Sequence, residues 1–348
     1  MQRSHVEVYR IIIQTSPIAA DARRCIIHVG THKTGTTSIQ AFLRDNEVAL
    51  AAHGVIIPKA GRSEDAAGHH NLTQQLLGDS GFVTQRGGLE DVVRELRESA
   101  LPTACLSSED FSLASRSRDT LITVRDAIAK AGFTPIVVVY LRPQVSYCLS
   151  MYAEIVKNGN CKPFVTYLRE VTAHGSFLWN NIVGPPYRYD VLLDRFAAVF
   201  GKEAIIVRRY RPSAPSNDLL RSFTRLLVDS QTALDVFTFP RERFNRSLSF
   251  PRVLRALGSG ESVLDMRFAP LDVRETLALA ATFERANRDV AQRYGVWVPP
   301  YEINDLLLAI PFRKSFARTV GLGRARRALR AMSGGGSDGD RFRARDVG

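Results

Sequence analysis

Cysteine is scarce in this sequence, and no two cysteines form a CxxC pair. The four are Cys25, Cys105, Cys148 and Cys161. They are too few and too scattered for a disulfide-stapled scaffold or a paired-thiolate zinc site. Cys25 and Cys105 lie in apolar, strand-like runs, so buried reduced thiols and a cytoplasmic chain are expected. Long apolar runs are missing as well. None approaches the roughly 18 residues that cross a bilayer. The opening "MQRSHVEVYRIIIQTSPIAADARR" holds no stretch long enough for a secretion signal. Acidic residues are outnumbered, 35 against 47 basic, for a net charge of +12. Residues 313–348 hold ten basic and three acidic residues, a net +7, which leaves only +5 for residues 1–312. The body is mildly basic. A small anionic ligand suits it, and nucleic acid is not expected as a partner.

A chain of 348 residues is long enough for one large α/β domain with tails. We expect a leader over 1–22, a domain over 23–312 and a basic, disordered tail over 313–348. Contact of that tail with an acidic membrane surface or a polyanion is the alternative to simple solvation.

Apolar runs at 24–29 ("RCIIHV"), 55–58 ("VIIP"), 101–111 ("LPTACLSSEDF"), 134–141 ("TPIVVVYL") and 203–210 ("EAIIVRRY") read as strands. Helical spacing marks about 36–52, ending at Gly54, and about 117–131, 143–159, 190–201 and 217–227. On the helix over 143–159, Val145, Cys148, Leu149, Tyr152, Ile155 and Val156 form the expected buried face. Asn217 is the expected cap of the helix over 217–227. Residues 59–71 read as a loop, and 228–300 as helices and loops. Strands that are continuous apolar runs, alternating with helices, predict an α/β fold: a P-loop-like parallel sheet with helices on both faces.

The stretch "HVGTHKTGTTSIQ" (28–40) follows the first strand and opens the first helix. Gly30 and Gly35 let backbone approach an anion closely. The first amides of the helix lack intrahelical acceptors, and the helix dipole adds favourable potential. The hydroxyls of Thr34, Thr36, Thr37 and Ser38 are further donors. A nucleotide-hydrolysing loop reads GxxxxGK[ST]. Here the glycine spacing matches, but Thr36 stands where that lysine belongs and Lys33 lies inside the loop. None of the later strand-like apolar runs passes directly into an Asp that would supply a magnesium ligand. In "LRPQVSYCLS", Arg142 ends a strand and Ser150 follows eight residues later in a helix. That is a place for a second phosphate, held by charge-assisted bonds.

Together these two motifs resemble the sulfotransferases that use 3′-phosphoadenosine-5′-phosphosulfate (PAPS). "HKTGTTSIQ" is similar to the 5′-phosphosulfate loop of heparan sulfate N-sulfotransferases and of bacterial carbohydrate-type members. "LRPQVSYCLS" is similar to the 3′-phosphate motif. The resemblance implies PAPS as co-substrate, no metal, and a carbohydrate-like or lipid-linked acceptor. It implies that Lys33 stabilises the leaving group. Thr34, Gly35, Thr36, Thr37 and Ser38 would hold the 5′-phosphate, and Arg142 and Ser150 the 3′-phosphate. It also implies a Glu or His base, for which His70 and Glu109 are the candidates, with His32 and Glu64 behind them. Arg246, in "NRSLS" (245–249), and the Arg208–Arg209 doublet are further candidates for phosphate contact. A P-loop kinase or NTP-binding protein, and a non-enzymatic nucleotide-binding scaffold with a basic tail, are the alternatives.

Overall fold

The computed structural model describes residues 22–64, 68–158, 163–179, 182–211, 214, 217–240, 271 and 273–302. In chain order the strands are β1 (Arg24–His28), β2 (Val55–Ile56), β3 (Thr103–Ser107), β4 (Thr134–Leu141), β5 (Leu178–Trp179), β6 (Ile182–Val183) and β7 (Ile205–Arg209). The α-helices are α1 (Thr36–Asp45), α2 (Glu47–Ala52), α3 (His70–Leu77), α4 (Leu89–Glu98), α5 (Phe111–Ala114), α6 (Arg118–Lys130) and α7 (Gln144–Lys157). They continue with α8 (Phe164–His174), α9 (Tyr189–Phe200), α10 (Asp218–Leu227) and α11 (Val273–Tyr294). The leader, the basic tail, Cys161 and the "NRSLS" segment with Arg246 lie outside the described residues.

The chain divides into two compact units. Unit 1 takes residues up to Leu141, Tyr189–Phe244 and Val290–Val296. Its centre is a five-stranded sheet in the order β2-β3-β1-β4-β7, parallel throughout. This is the α/β architecture expected. β3 is buried along its whole length and β4 over its last six residues. Apolar runs of this kind bury both faces of a strand. One face carries Ile26, Cys105, Ile136, Val138 and Tyr140, packed with Ile39, Phe42 and Leu43 of α1 and Leu220, Phe223 and Leu227 of α10. Each such large apolar side chain contributes about 1.5–3 kcal/mol by burial. Alternate residues Cys25, Ile27, Val137 and Val139 face the other way and are equally buried. α6 and α9 pack on β4, α9 also on β7.

The connection leaving β1 runs to the β2 edge, and the one leaving β4 runs to the β7 edge. The crevice beyond the C-terminal ends of β1 and β4 is therefore the topological switch point, where open α/β sheets take ligands. The loop after β1 starts there.

Unit 2 takes Arg142–Arg188, Asn245–Asp289 and the residues from Trp297. The first turn of α7 is fixed by a reciprocal amide pair. Gln144 Nε2 donates to Asn287 Oδ1 at 2.7 Å, and Asn287 Nδ2 donates to Gln144 Oε1 at 2.8 Å. The Val145 amide also donates to the Pro300 carbonyl at 2.9 Å. Tyr167 donates its hydroxyl to the Cys148 carbonyl at 2.9 Å, which ties α8 to α7.

Several expectations need correction. The helix expected over 36–52 is two helices, broken at Asn46. The Asn46 carboxamide donates to the Phe42 and Thr238 carbonyls and accepts from the Thr238 amide, so it competes with the helical ladder. Residues 70 and 71 are helical, not loop. Leu149 is only half-buried, and Tyr147 and Met151 take the buried positions on α7 instead. Asn217 precedes α10 but makes no side-chain cap bond. The outer residues of the expected strand runs, such as Val29, Ile57 and Ser108, lie beyond the paired segments.

The cysteines Cys25, Cys105 and Cys148 are free and buried, and burial raises the pKa of each thiol above its usual value. Among the described residues, no helix is long and apolar enough to cross a membrane.

Candidate active site

The loop between β1 and α1 is held from both sides. The Thr31 amide and hydroxyl donate to the Tyr140 carbonyl at 3.0 and 3.2 Å, and the Tyr140 amide returns a bond to the Gly30 carbonyl at 2.6 Å. Gly30 has φ +84°, and a Cβ there would stand 2.9 Å from the Glu109 Cβ. Only glycine fits, both for its backbone angle and for its closeness to the segment after β3. Lys33 adopts φ +60°, a left-handed conformation that non-glycine residues seldom take. Gly35 is the N-cap of α1 at φ +84°, and no side chain caps this helix. The amides of Thr36 and Thr37 therefore lack an intrahelical acceptor, whereas the Ser38 amide donates to the Gly35 carbonyl at 3.0 Å.

The loop's hydroxyls divide. Thr34 is wholly buried and donates to the Thr31 carbonyl at 2.5 Å, closing the turn around Lys33. The hydroxyl proton of Thr34 is thus engaged within the loop itself. Thr36 is buried, Ser38 half-buried and Thr37 exposed.

A cluster of acids and histidines stands against the same loop. Glu109 and Asp110 follow β3, His32 lies in the loop, and His70 opens α3. His32 Nε2 lies 3.2 Å from Asp110 Oδ1. His70 Nδ1 lies 3.2 Å from Asp110 Oδ2 and 3.1 Å from the Ser108 hydroxyl. His70 Nε2 lies 3.8 Å from Glu109 Oε2, and Gln40 of α1 donates to that oxygen at 3.0 Å.

Burial alone would lower the His70 pKa. The bond to Asp110 and the charges of Glu109 and Asp110 outweigh it and hold the imidazole above its ordinary value. Burial alone would raise Asp110. The His32 and His70 donors prevail and hold the carboxyl well below the usual range.

His70 is positioned by its neighbour. The His69 amide donates to the Ser107 carbonyl at 2.7 Å, and the Ser107 amide donates to His69 Nδ1 at 3.1 Å. His69 Nε2 donates to the Pro58 carbonyl at 3.0 Å. This one residue thus mimics a strand beside the end of β3. Burial, with the Arg62 charge second, pushes its pKa down to about 3. On the other side, a Cβ on Gly68 would stand 2.7 Å from His70 Nε2 and 2.8 Å from the Gln40 amide group. Glycine at 68 leaves the space beside Nε2 open.

The remaining sequence candidates sit elsewhere. Glu64 is exposed and paired with Arg86, apart from the cluster. Arg208 and Arg209 are half-buried at the end of β7, in register with Tyr140 and Leu141. Arg142 and Ser150 belong to unit 2, whereas Lys33 and the acid–histidine cluster belong to unit 1. Arg142 is half-buried and its Nε donates to Ser146 Oγ at 3.0 Å. Ser146 in turn donates to the Pro143 carbonyl at 3.0 Å. Ser150 is only 6% exposed, so it does not lie on a solvated helix face.

Sequence reasoning missed Asp110, Gln40, Ser108 and Gly68. Asp110 and Ser108 left a signal only as the two neighbours of Glu109 in "SSED".

No protein-family model and no curated protein matches the chain. Among solved structures, it is similar to the crystal structure of a sulfotransferase from Alicyclobacillus acidocaldarius. The identity is 14% and the TM-score 0.41, over 79% of this chain and 96% of that one.

Proposed function

We propose that the protein is a PAPS-dependent sulfotransferase acting on a hydroxyl or amine of a carbohydrate-like or lipid-linked acceptor. The observation that supports this most is the setting of Lys33. It sits in left-handed conformation between two glycines at the switch point, and the acid–histidine cluster packs against its loop. A donor with an activated sulfuryl group needs a cation at the leaving oxygen and a base for the acceptor.

The acceptor oxygen forms a bond to sulfur as the bond from sulfur to the 5′-phosphate breaks. The electron pair leaves on the bridging oxygen, where Lys33 stabilises it. The amides around Thr34, Gly35, Thr36, Thr37 and Ser38 hold the 5′-phosphate, and Arg142 and Ser150 the 3′-phosphate. His70 or Glu109 takes the acceptor proton. His70 suits that role better, because Asp110 and Ser108 hold its Nδ1 and its Nε2 faces the space left by Gly68.

Purified protein challenged with labelled PAPS, and with ATP with and without magnesium, tests the reading. PAPS binding and sulfate addition to an acceptor, read by mass spectrometry across an acceptor panel, is the expected result. Lys33→Ala should lower kcat on the order of 10²–10³-fold. Magnesium-dependent ATP binding with none for PAPS would instead make the protein a kinase or NTP-binding protein.

A further inference from the structure

We propose that Asp110 is a positioning residue that couples the base to the loop carrying Lys33. One carboxylate oxygen fixes the tautomer of His70, and the other holds His32. The role in catalysis rests on the sulfotransferase reading. The coupling itself rests on the geometry.

The hydrogen bonds settle the His70 tautomer. Thr73 Oγ1 donates to the His70 carbonyl at 2.9 Å. The Ser108 hydroxyl, 3.1 Å from Thr73 Oγ1, is placed to donate to it. Ser108 Oγ is left to accept from the Asp110 amide at 3.2 Å and from His70 Nδ1. An ionised Asp110 is acceptor-only, so Nδ1 carries the proton and shares it between Asp110 Oδ2 and Ser108 Oγ. The lone pair of neutral His70 is then on Nε2, beside Gly68 and Glu109. When Nε2 takes the acceptor proton, the imidazolium has Asp110 on one side and Glu109 on the other.

His32 depends on the same carboxylate. Its Nε2 donates to Asp110 Oδ1, while its Nδ1 is buried and has no hydrogen-bond partner among the described residues. Asp110 thus supplies the hydrogen bond that holds this ring, and Lys33 is the next residue in the loop. A carboxylate that orients an imidazole through Nδ1 raises its basicity and fixes the proton-accepting nitrogen. Here the same group also anchors the residue before the leaving-group lysine. The charged or titratable groups facing His70 are Asp110 and Glu109 after β3, His69 beside it in sequence, and His32 through Asp110.

Nitrogen-15 NMR of the histidine rings in the full chain, without substrate, reads the coupling. In wild type, His70 should show Nδ1–H and titrate above its ordinary value. Asp110→Asn should lower its midpoint and mix the tautomers. In steady-state assays with PAPS, Asp110→Asn should lower kcat about 10²–10³-fold and move the ascending limb of the pH profile down.

His32→Ala should weaken binding of 3′,5′-adenosine bisphosphate several-fold. His32→Gln keeps a donor for Asp110 and should restore that binding. An unchanged His70 midpoint and tautomer in Asp110→Asn would overturn the proposal. So would a His32→Ala variant as tight and as fast as wild type. An inactive wild type that binds no adenosine bisphosphate but keeps the NMR coupling would sink the sulfotransferase reading and uphold the role of Asp110.

Discussion

At the residue scale, Gly68 carries a specific expectation. A methyl group there would press on His70 Nε2 and on the Gln40 carboxamide, and Gln40 is the donor that holds Glu109. Both contacts are the ends of flexible side chains, so they can shift and the fold should survive. Gly68→Ala should therefore lower kcat by about tenfold or more, with a change in unfolding free energy under about 1 kcal/mol. Paired measurements of steady-state kinetics and urea unfolding check this. Wild-type kcat in that variant would mean that His70 does not work through Nε2. Gly30 offers a contrast. A side chain there meets both a left-handed φ and the Glu109 Cβ and Cα, so Gly30→Ala combines backbone strain with a clash that no side-chain rotation relieves.

At the scale of elements, α3 depends on tertiary structure for its place. Its sequence "HNLTQQLL" is polar, and only Asn71, Leu72 and Thr73 are buried, so periodicity gave no reason to expect a helix there. What places it is His69, bonded to both backbone groups of Ser107 and to Pro58. His69→Ala removes two side-chain bonds and leaves the buried Ser107 amide without its acceptor. It should cost about 2–4 kcal/mol in urea unfolding, and His70 should lose its raised pKa with it. A loss under about 0.5 kcal/mol would mean that α3 is anchored by other contacts.

The same dependence explains how much of the site could be read in advance. The sheet was legible because β1, β3 and β4 are unbroken apolar runs. The glycine-bounded loop after β1 was legible because Gly30, Lys33 and Gly35 form a linear pattern. The cluster was half-legible. His70 and Glu109 stood out as residue types near strand ends, but Asp110 acquires its role only when α3 delivers His70 to it. Gln40 and Gly68 acquire theirs only by contact. Asn46 hid for a related reason, since its partner Thr238 is far away in sequence.

At the scale of the whole molecule, two wholly buried neutral histidines set the response to acid. His28 of β1 shares Nδ1 with the Ser107 hydroxyl at 2.8 Å and lies edge-on to Tyr140 and Phe223. Burial pushes its pKa down to about 3, as it does for His69. In the unfolded chain each returns to about 6.5. A depressed folded-state value means the unfolded state binds protons first. Stability is therefore full above about pH 6.5 and falls as pH drops toward 3, by about 1.4 kcal/mol per unit for each ring.

His70 has the opposite sign, since its raised value adds stability only as pH falls through it to about 6.5. Asp110 gives up its contribution only below about 3.9. Between roughly pH 6 and 4.5 the two buried rings thus lower stability by about 3 kcal/mol per unit, against a total of about 5–15 kcal/mol for a typical protein. Urea midpoints measured down this pH range should fall steeply. His28→Asn, which keeps a polar partner for Ser107, should remove about half of the slope. A slope unchanged in that variant would mean that His28 is protonated in the folded protein, and hence that the end of β1 behind the Lys33 loop is open to water.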